Sequence, residues 1–543
     1  MVNLQHTTLT IGVFANRQVY EGTTIARYEQ ILLRGIRAAA QQHGCNLLLA
    51  CGIGPHTAPF SSRPAWPAHL PSTDFVPVGP WNTDGLIAIP PFTHEQVRLL
   101  QRLIPSAHPL VFTYPQAGYP SVGPANREGI FQAFRHLIEH GHRRIAFMAA
   151  DEHRGGDAAE RLAAYRDAVH DHGLPPDPAL IAYGGHDEHQ SYIAMQRMLA
   201  AGIEFTAVLA SNDESAIGVL RALAAAGHRV PHDIAVIGFD DVLYARGLTP
   251  PLTTVQHPTF ELGYRAVELV LDCIHGRVQG TPTIRVPTRL VIRESCGCQP
   301  YSINPAMRHE TDLPLWEAVY DAVATEAHTA DRILLQQWAR ALVDAFHHSI
   351  TQASAHLFTA TIDQLLQAME ATQADSYAWQ AGLSVLRAYV LGKLHTAPTQ
   401  PLALQLIDQA RVQISERIRR QHTSFVVRQA DLTDRLATMT SRLLTALEPQ
   451  QILNILADHL PQIGIQHAHI GWYAAEDDDP VAWSELYQRT SSQTHTVQRF
   501  RTRQFPPSSL IDVHPFSLAL LPLVIEDGPR GFVAFDAAYL EPL

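Results

Sequence analysis

The chain has 543 residues, 46% of them hydrophobic and only 17% charged, with a formal net charge of -12. At roughly 150 residues per domain this predicts several domains with cores of their own. It excludes wholesale disorder and a protein held to nucleic acid by bulk positive charge.

From residue 8 to about residue 300, short β-branched runs alternate with longer amphipathic segments, the pattern of βα units that build a parallel sheet. TLTIGVFA (8–15) is the first predicted strand, and 28–43 the helix after it. Further strands are predicted at 46–50, 85–89, 110–112, 144–148, 207–210 and 234–238. The segment 54–80, crowded with Pro, Ser and His, has no periodicity and reads as a surface excursion. After Cys298 the character changes: 312–395 has little Gly or Pro and an apolar spacing near 3.6, so several helices are predicted. A helical stretch then runs over 402–447, where Phe425, Leu432, Leu436, Met439 and Leu443 share a seven-residue frame suited to a short parallel coiled coil. His422 and Gln429 on that seam keep open a helix packed on its own domain. A helix at 450–460 and strands at 467–473, 481–487, 496–500, 518–525 and 531–536 complete a small α+β domain, expected to be truncated because no closing helix follows.

Five cysteines, Cys45, Cys51, Cys273, Cys296 and Cys298, lack the spacing of a disulfide scaffold and suit a reducing compartment. The first residues show no export signal, and no apolar run reaches the eighteen or so residues of a membrane helix, so a cytoplasmic protein is expected.

In open parallel sheets a ligand sits at the carboxyl ends of the strands. Asn212 and Asp213 follow the strand AVLAS, and Asp240 and Asp241 follow AVIGF, so both pairs are predicted at that edge. Carboxylate and amide oxygens there can accept from sugar or nucleoside hydroxyls, and Arg161 can donate a planar fork. Asn212 can equally cap the next helix, and for Asp213 and Asp241 a structural role is the stronger reading.

The stretch 207–258, AVLASNDESAIGVLRALAAAGHRVPHDIAVIGFDDVLYARGLTPPLTTVQHP, closely resembles the effector-binding core of the LacI/GalR family of transcriptional regulators. GHRRIAF (141–147), ERLAAY (160–165), ELGYRAVELVL (261–271) and PTRLVIRESC (287–296) extend the resemblance in order over residues 9–296. It implies a two-lobed periplasmic-binding-protein-like α/β sensor over 1–300, with two subdomains joined by three strand crossovers. It also implies effector-binding roles for Arg161, Asn212 and Asp240, with His186 at a position where an aromatic ring stacks on the effector. Tyr114 stands where the family often has an acidic residue, and the first loop, from Asn16 to Thr24, departs from the usual pattern. Both Asn16 and Tyr114 are retained as candidate effector contacts.

Repressors of this family begin with roughly sixty residues that read DNA in the major groove. Here the first strand starts by residue 8, so the reader is expected to be missing and direct DNA binding is not supported. The remainder resembles hybrid regulators: a helical region (301–400), a helical linker or coiled coil (401–447) and a GAF-like domain (448–543). The expected protein is a homodimeric sensor of a small polar ligand, without cofactor, metal or catalytic motif, passing its signal to a downstream partner. The alternative is the sensory part of a diguanylate cyclase or histidine kinase whose catalytic domain was lost or lies on another chain, and an exported solute-binding protein is disfavoured. HLIEH (136–140) is formally a zinc-protease string but reads as an ordinary surface helix. Cys296 and Cys298 are too close for a paired zinc knuckle, with metal or redox sensing involving Cys273 a minor alternative.

Overall fold

The run NLLLACGI is apolar at consecutive positions, a pattern that suits a strand covered on both faces. In a computed structural model of the chain this strand, Asn46–Ile53, lies inside an eleven-stranded sheet. The structure describes residues 8–16, 24–53, 68–70, 73–89, 94–151, 156–298, 314–327, 332–371, 376–394, 398–445, 449–463, 465, 468–474, 479, 481–490, 493–507, 515–525 and 528–537. They fall into two units, one built from 1–125, 257–288 and 432–543, the other from 126–256 and 289–431. Three of the passages between units, at 125/126, 256/257 and 288/289, lie within residues 9–296.

In the first unit the sheet order is Thr283–Val286, Ser121–Pro124, Leu110–Phe112, Gly85–Ala88, Thr10–Asn16, Asn46–Ile53, Ser517–Ile525, Gly528–Asp536, Ala468–Ala474, Trp483–Thr490, Gln493–Arg501. The first seven strands run parallel to one another and the last four continue the sheet antiparallel. At the join, Leu47 pairs with Ser517 and Leu49 with Ala519, and Leu47 N donates to Phe516 O at 2.8 Å. Side chains alternate between the faces with period two. Leu47, Leu49 and Ala519 belong to one apolar cluster, Leu48, Ala50 and Leu520 to the other. Both cores therefore run without a break from the N-terminal strands into the C-terminal strands. On the first face the helices Thr24–Gln42 and Thr259–Ile274 cross at two glycines: a Cβ on Gly35 would sit 2.0 Å from Phe260 O, and one on Gly263 2.1 Å from Leu32 O.

The surface excursion expected over 54–80 is corrected in its second part. Val76 and Val78 are each 1% exposed and belong to the second core, preceded by the short hairpin Ala68–Leu70 and Thr73–Phe75. Residues 54–67 lie outside the described residues.

The second unit holds a six-stranded sheet in the order Arg289–Val291, Thr253–Gln256, Ala235–Asp240, Ala207–Ala210, Ile145–Ala149, Ile181–Tyr183, parallel except for Arg289–Val291. Alternate residues again face two cores. Ile145, Phe147 and Leu209 pack with Phe134 and Tyr165, while Ala146, Met148 and Val208 pack with Met195 and Val219. The same unit contains the helices Leu315–Glu326, Arg332–Thr351, His356–Ala371 and Trp379–Lys393 and the start of the helix Gln400–Leu443. Their shared core includes Phe346, Phe358, Trp379, Ile407 and Ile414. Further along the last helix apolar residues lie open, Val427 at 63% and Leu436 at 38% exposure. Among the described residues no helix is long and apolar enough to cross a membrane.

Candidate functional site

The neighbouring strands Ile145–Ala149, Ala207–Ala210 and Ala235–Asp240 end together, and the loops after them carry polar groups. Arg161, on the helix Asp157–Asp171, reaches this edge with 3% of its surface exposed. Its guanidinium lies 3.7 Å from the centroid of the Phe239 ring. Nε donates to Asn126 Oδ1 at 2.9 Å, and Nη1 donates to Ser211 O at 2.6 Å and Asp240 Oδ1 at 3.1 Å. Asn126 Nδ2 in turn donates to Asp157 Oδ1 at 2.6 Å and Glu160 Oε2 at 2.9 Å. Asn126 and Ser211 were not legible as members of the site. The only sequence signal was that Asn126 opens a helix-periodic run, as capping residues do.

Asp240 keeps 31% of its side chain exposed while one oxygen accepts from Arg161. Loss of hydration at the sheet edge pushes its carboxyl up to about 6, against the pull of Arg161 and with Asp157 and Glu214 adding to the rise. Its φ of 113°, with 57° at Asp241 and 59° at His186, places three non-glycine residues of these loops at positive φ. Such strain concentrates where loops are over-determined by a binding site.

The neighbouring acids are used by the fold, as their structural reading has it. Asp213 Oδ1 accepts from Thr254 Oγ1 at 2.5 Å and Oδ2 from Val242 N at 2.9 Å; burial first, then Asp240, raises its carboxyl well above the usual range. Gly238 lies against it, since a Cβ there would be 2.1 Å from Asp213 Oδ1. Asp241, 1% exposed at its side chain, accepts from Arg293 Nη2 at 2.5 Å.

Asn212 Oδ1 accepts from Ser215 N at 2.9 Å and so caps the helix Asp213–Ala225, while Nδ2 donates to His186 O at 3.4 Å. The structure thus brings Arg161, His186, Asn212 and Asp240 to one unit. Asn16, at the end of the strand Thr10–Asn16, and Tyr114, after Leu110–Phe112, belong to the other. A depression bordered by Arg143, Leu199, Phe205 and His228 lies at the opposite, amino-terminal edge of the six-stranded sheet.

The reading of HLIEH as an ordinary surface helix is corrected. His136 is 9% exposed, and its Nε2 lies 3.4 Å from Cys296 Sγ and 3.7 Å from Cys298 Sγ. Each string alone lacks ligands for a metal; the fold adds them to one another. Cys273, the partner considered from sequence, belongs to the other unit. Hydrogen bonds from Cys298, His136 and Thr253 draw the Cys296 thiol down, whereas donating to Cys296 and being buried push Cys298 up.

The α/β unit gathers charged groups at its strand ends, and residues 134–296 match the family described as periplasmic binding protein-like domain. The curated relatives are transcriptional regulators. The HTH-type transcriptional regulator CelR of Thermobifida fusca is 34% identical over 39% of this chain and 64% of its own length. The HTH-type transcriptional regulator GalR of Escherichia coli K12 is 40% identical over 28% of this chain and 44% of its own. The chain spans less than two thirds of the length of these relatives. A solved structure titled as a complex of the transcriptional regulator CelR with cellobiose aligns at 25% identity, over 53% of this chain and 84% of that one, with a TM-score of 0.43.

Proposed function

We propose that the chain is a ligand-sensing regulator of transcription or signal transduction, taking a small polar effector of the sugar or nucleoside class. The observation that carries this is Asp240: Arg161 holds one oxygen, the side chain stays part-exposed, and the backbone beneath it is strained. A carboxylate so placed accepts from paired hydroxyls, and the guanidinium that fixes it is itself fixed by Asn126 and Ser211. His186 and Asn212 stand beside it, and Asn16 and Tyr114 enter through the resemblance to LacI/GalR sensors. A cytoplasmic location, passage of the signal to a downstream partner and homodimerisation along Leu432, Leu436, Met439 and Leu443 belong to the same proposal; the exposure of Leu436 supports the last. A GAF-like reading of the C-terminal segment is supported by the helix Pro449–His459 followed by antiparallel strands whose first and last members are neighbours.

The effector must bind two conformations unequally to act as a signal. Thermal-shift screening of the full chain with sugars, sugar phosphates, nucleosides and purines tests the proposal. A ligand at about a hundredfold above its dissociation constant stabilises by about 2.7 kcal/mol. Asp240→Asn is expected to abolish the shift while keeping the fold; a library that leaves wild type unmoved, or a shift equal in Asp240→Asn, refutes the assignment.

A further inference from the structure

Two segments 160 residues apart carry thiols and imidazoles to one spot in the second unit. The helical hydrogen bond from His140 N to His136 O, 3.1 Å, stacks the two histidines one turn apart, with ring centroids separated by 4.5 Å. On the other segment Gly297 turns the chain at a φ of +96°, a conformation glycine adopts without cost, and both Cys296 and Cys298 reach His136, with Cys298 also at His140.

His136 Nε2 lies 3.4 Å from Cys296 Sγ and 3.7 Å from Cys298 Sγ, and His140 Nε2 lies 3.3 Å from Cys298 Sγ. Zinc binds thiolate at about 2.3 Å and imidazole at about 2.05 Å; at the tetrahedral angle sulfur and nitrogen on one ion are about 3.6 Å apart. The three distances scatter around that value. Cys296 and Cys298 are 2% and 6% exposed. Thr253 Oγ1, 3.1 Å from Cys296 Sγ, supplies the kind of outer hydrogen bond that fixes a thiolate ligand. His142, also nearby in sequence, pairs instead with Thr206 Oγ1 at 2.9 Å.

We propose that His136, Cys296 and Cys298, whose ligand atoms lie within 4.8 Å of one another, bind one zinc ion, and that His140, beside Cys298, closes on it as the fourth ligand of a two-sulfur, two-nitrogen site. Four protein ligands fill a tetrahedron, so the ion is structural: no position remains for water or substrate. Binding replaces the two thiol protons, which pass to solvent, and soft thiolates favour zinc over magnesium or calcium. The ion ties the chain where it leaves the six-stranded sheet to the helix Asn126–Glu139.

Metal analysis of the full chain tests this, after purification under reducing conditions without chelator and after reconstitution with zinc alone. About one zinc per chain is expected, and Cys296→Ser with Cys298→Ser is expected to lose it. Replacing zinc by cobalt(II) is expected to give the visible bands of a tetrahedral ion and a near-ultraviolet thiolate-to-metal band, which Cys298→Ser reduces by about half. His140 is exposed, so His140→Ala is expected to keep the wild-type circular dichroism while weakening zinc binding at least about tenfold. A folded, reduced wild type that holds less than about a tenth of an equivalent after reconstitution overturns the proposal, as does a cobalt spectrum without the thiolate band or undiminished zinc in the double serine variant.

Discussion

Asp240→Asn separates what the carboxylate does for binding from what it costs the fold. The folded carboxyl sits at about 6 against an ordinary value of 3.8, a difference worth about 3 kcal/mol. Because the folded value is raised, the folded state holds the proton more tightly than the unfolded chain. The favourable contribution is complete below about pH 4 and is lost as pH rises through about 6. Wild type without ligand should therefore lose up to about 3 kcal/mol relative to Asp240→Asn between pH 4 and 7, with 31% exposure of the side chain making that an upper figure. The assay is urea unfolding of both proteins across this range, read as the difference in stability so that titrating groups away from Asp240 cancel; Asp213, whose carboxyl Asp240 helps to raise, contributes to the difference with it. Effector hydroxyls that bind the ionised form should reverse the trend in affinity, with tighter binding at pH 7 than at pH 5. Parallel stability curves for the two proteins would refute the argument.

Arg293→Met leaves the carboxylate of Asp241 buried without its cation and is expected to cost about 3–5 kcal/mol in denaturant unfolding; a loss under about 1 kcal/mol would count against a structural pair. Leu520→Asp puts a charge at a fully buried position beside the sheet join, and hydrogen exchange should report lost protection at Leu48 as well as locally. Protection lost only in the C-terminal strands would deny the shared core. Leu436→Glu combined with Leu443→Glu should turn a dimer into a monomer in sedimentation without changing the circular dichroism; an unchanged mass would remove the coiled coil.

The strands Ala207–Ala210 and Ala235–Asp240 were legible because uninterrupted apolar runs between turn signals leave few alternatives. Ser121–Pro124 and Thr253–Gln256, as short as Ala207–Ala210, were missed because polar residues and Pro break any apolar run, and Ile181–Tyr183 because Pro and Gly crowd both its flanks. Arg161 and Asp240 could be placed at the strand ends from their position in the βα pattern and from the resemblance. The groups that hold Arg161 could not: Ser211 contributes a backbone carbonyl, which no side-chain code records, and Asn126 belongs to a distant helix start. The same limit hid the thiol–imidazole cluster. An i,i+4 histidine pair and a C-x-C each fall short of a site, and only the packing of the helix Asn126–Glu139 against the segment after Arg289–Val291 adds them together. The pairing of Asn46–Ile53 with Ser517–Ile525 left no trace, because an apolar run reports covered faces and not the neighbour at a strand's hydrogen-bonding edge.

That pairing sets a timetable for synthesis. Phe516 N meets Asn46 Oδ1 across 470 residues, so the first strands leave the ribosome long before their neighbour exists. At about 5–20 residues per second the sticky flank of Asn46–Ile53 waits on the order of half a minute to a minute and a half for its cover. A nascent chain in that interval is a natural client for chaperones, and slowing translation should raise its tendency to aggregate.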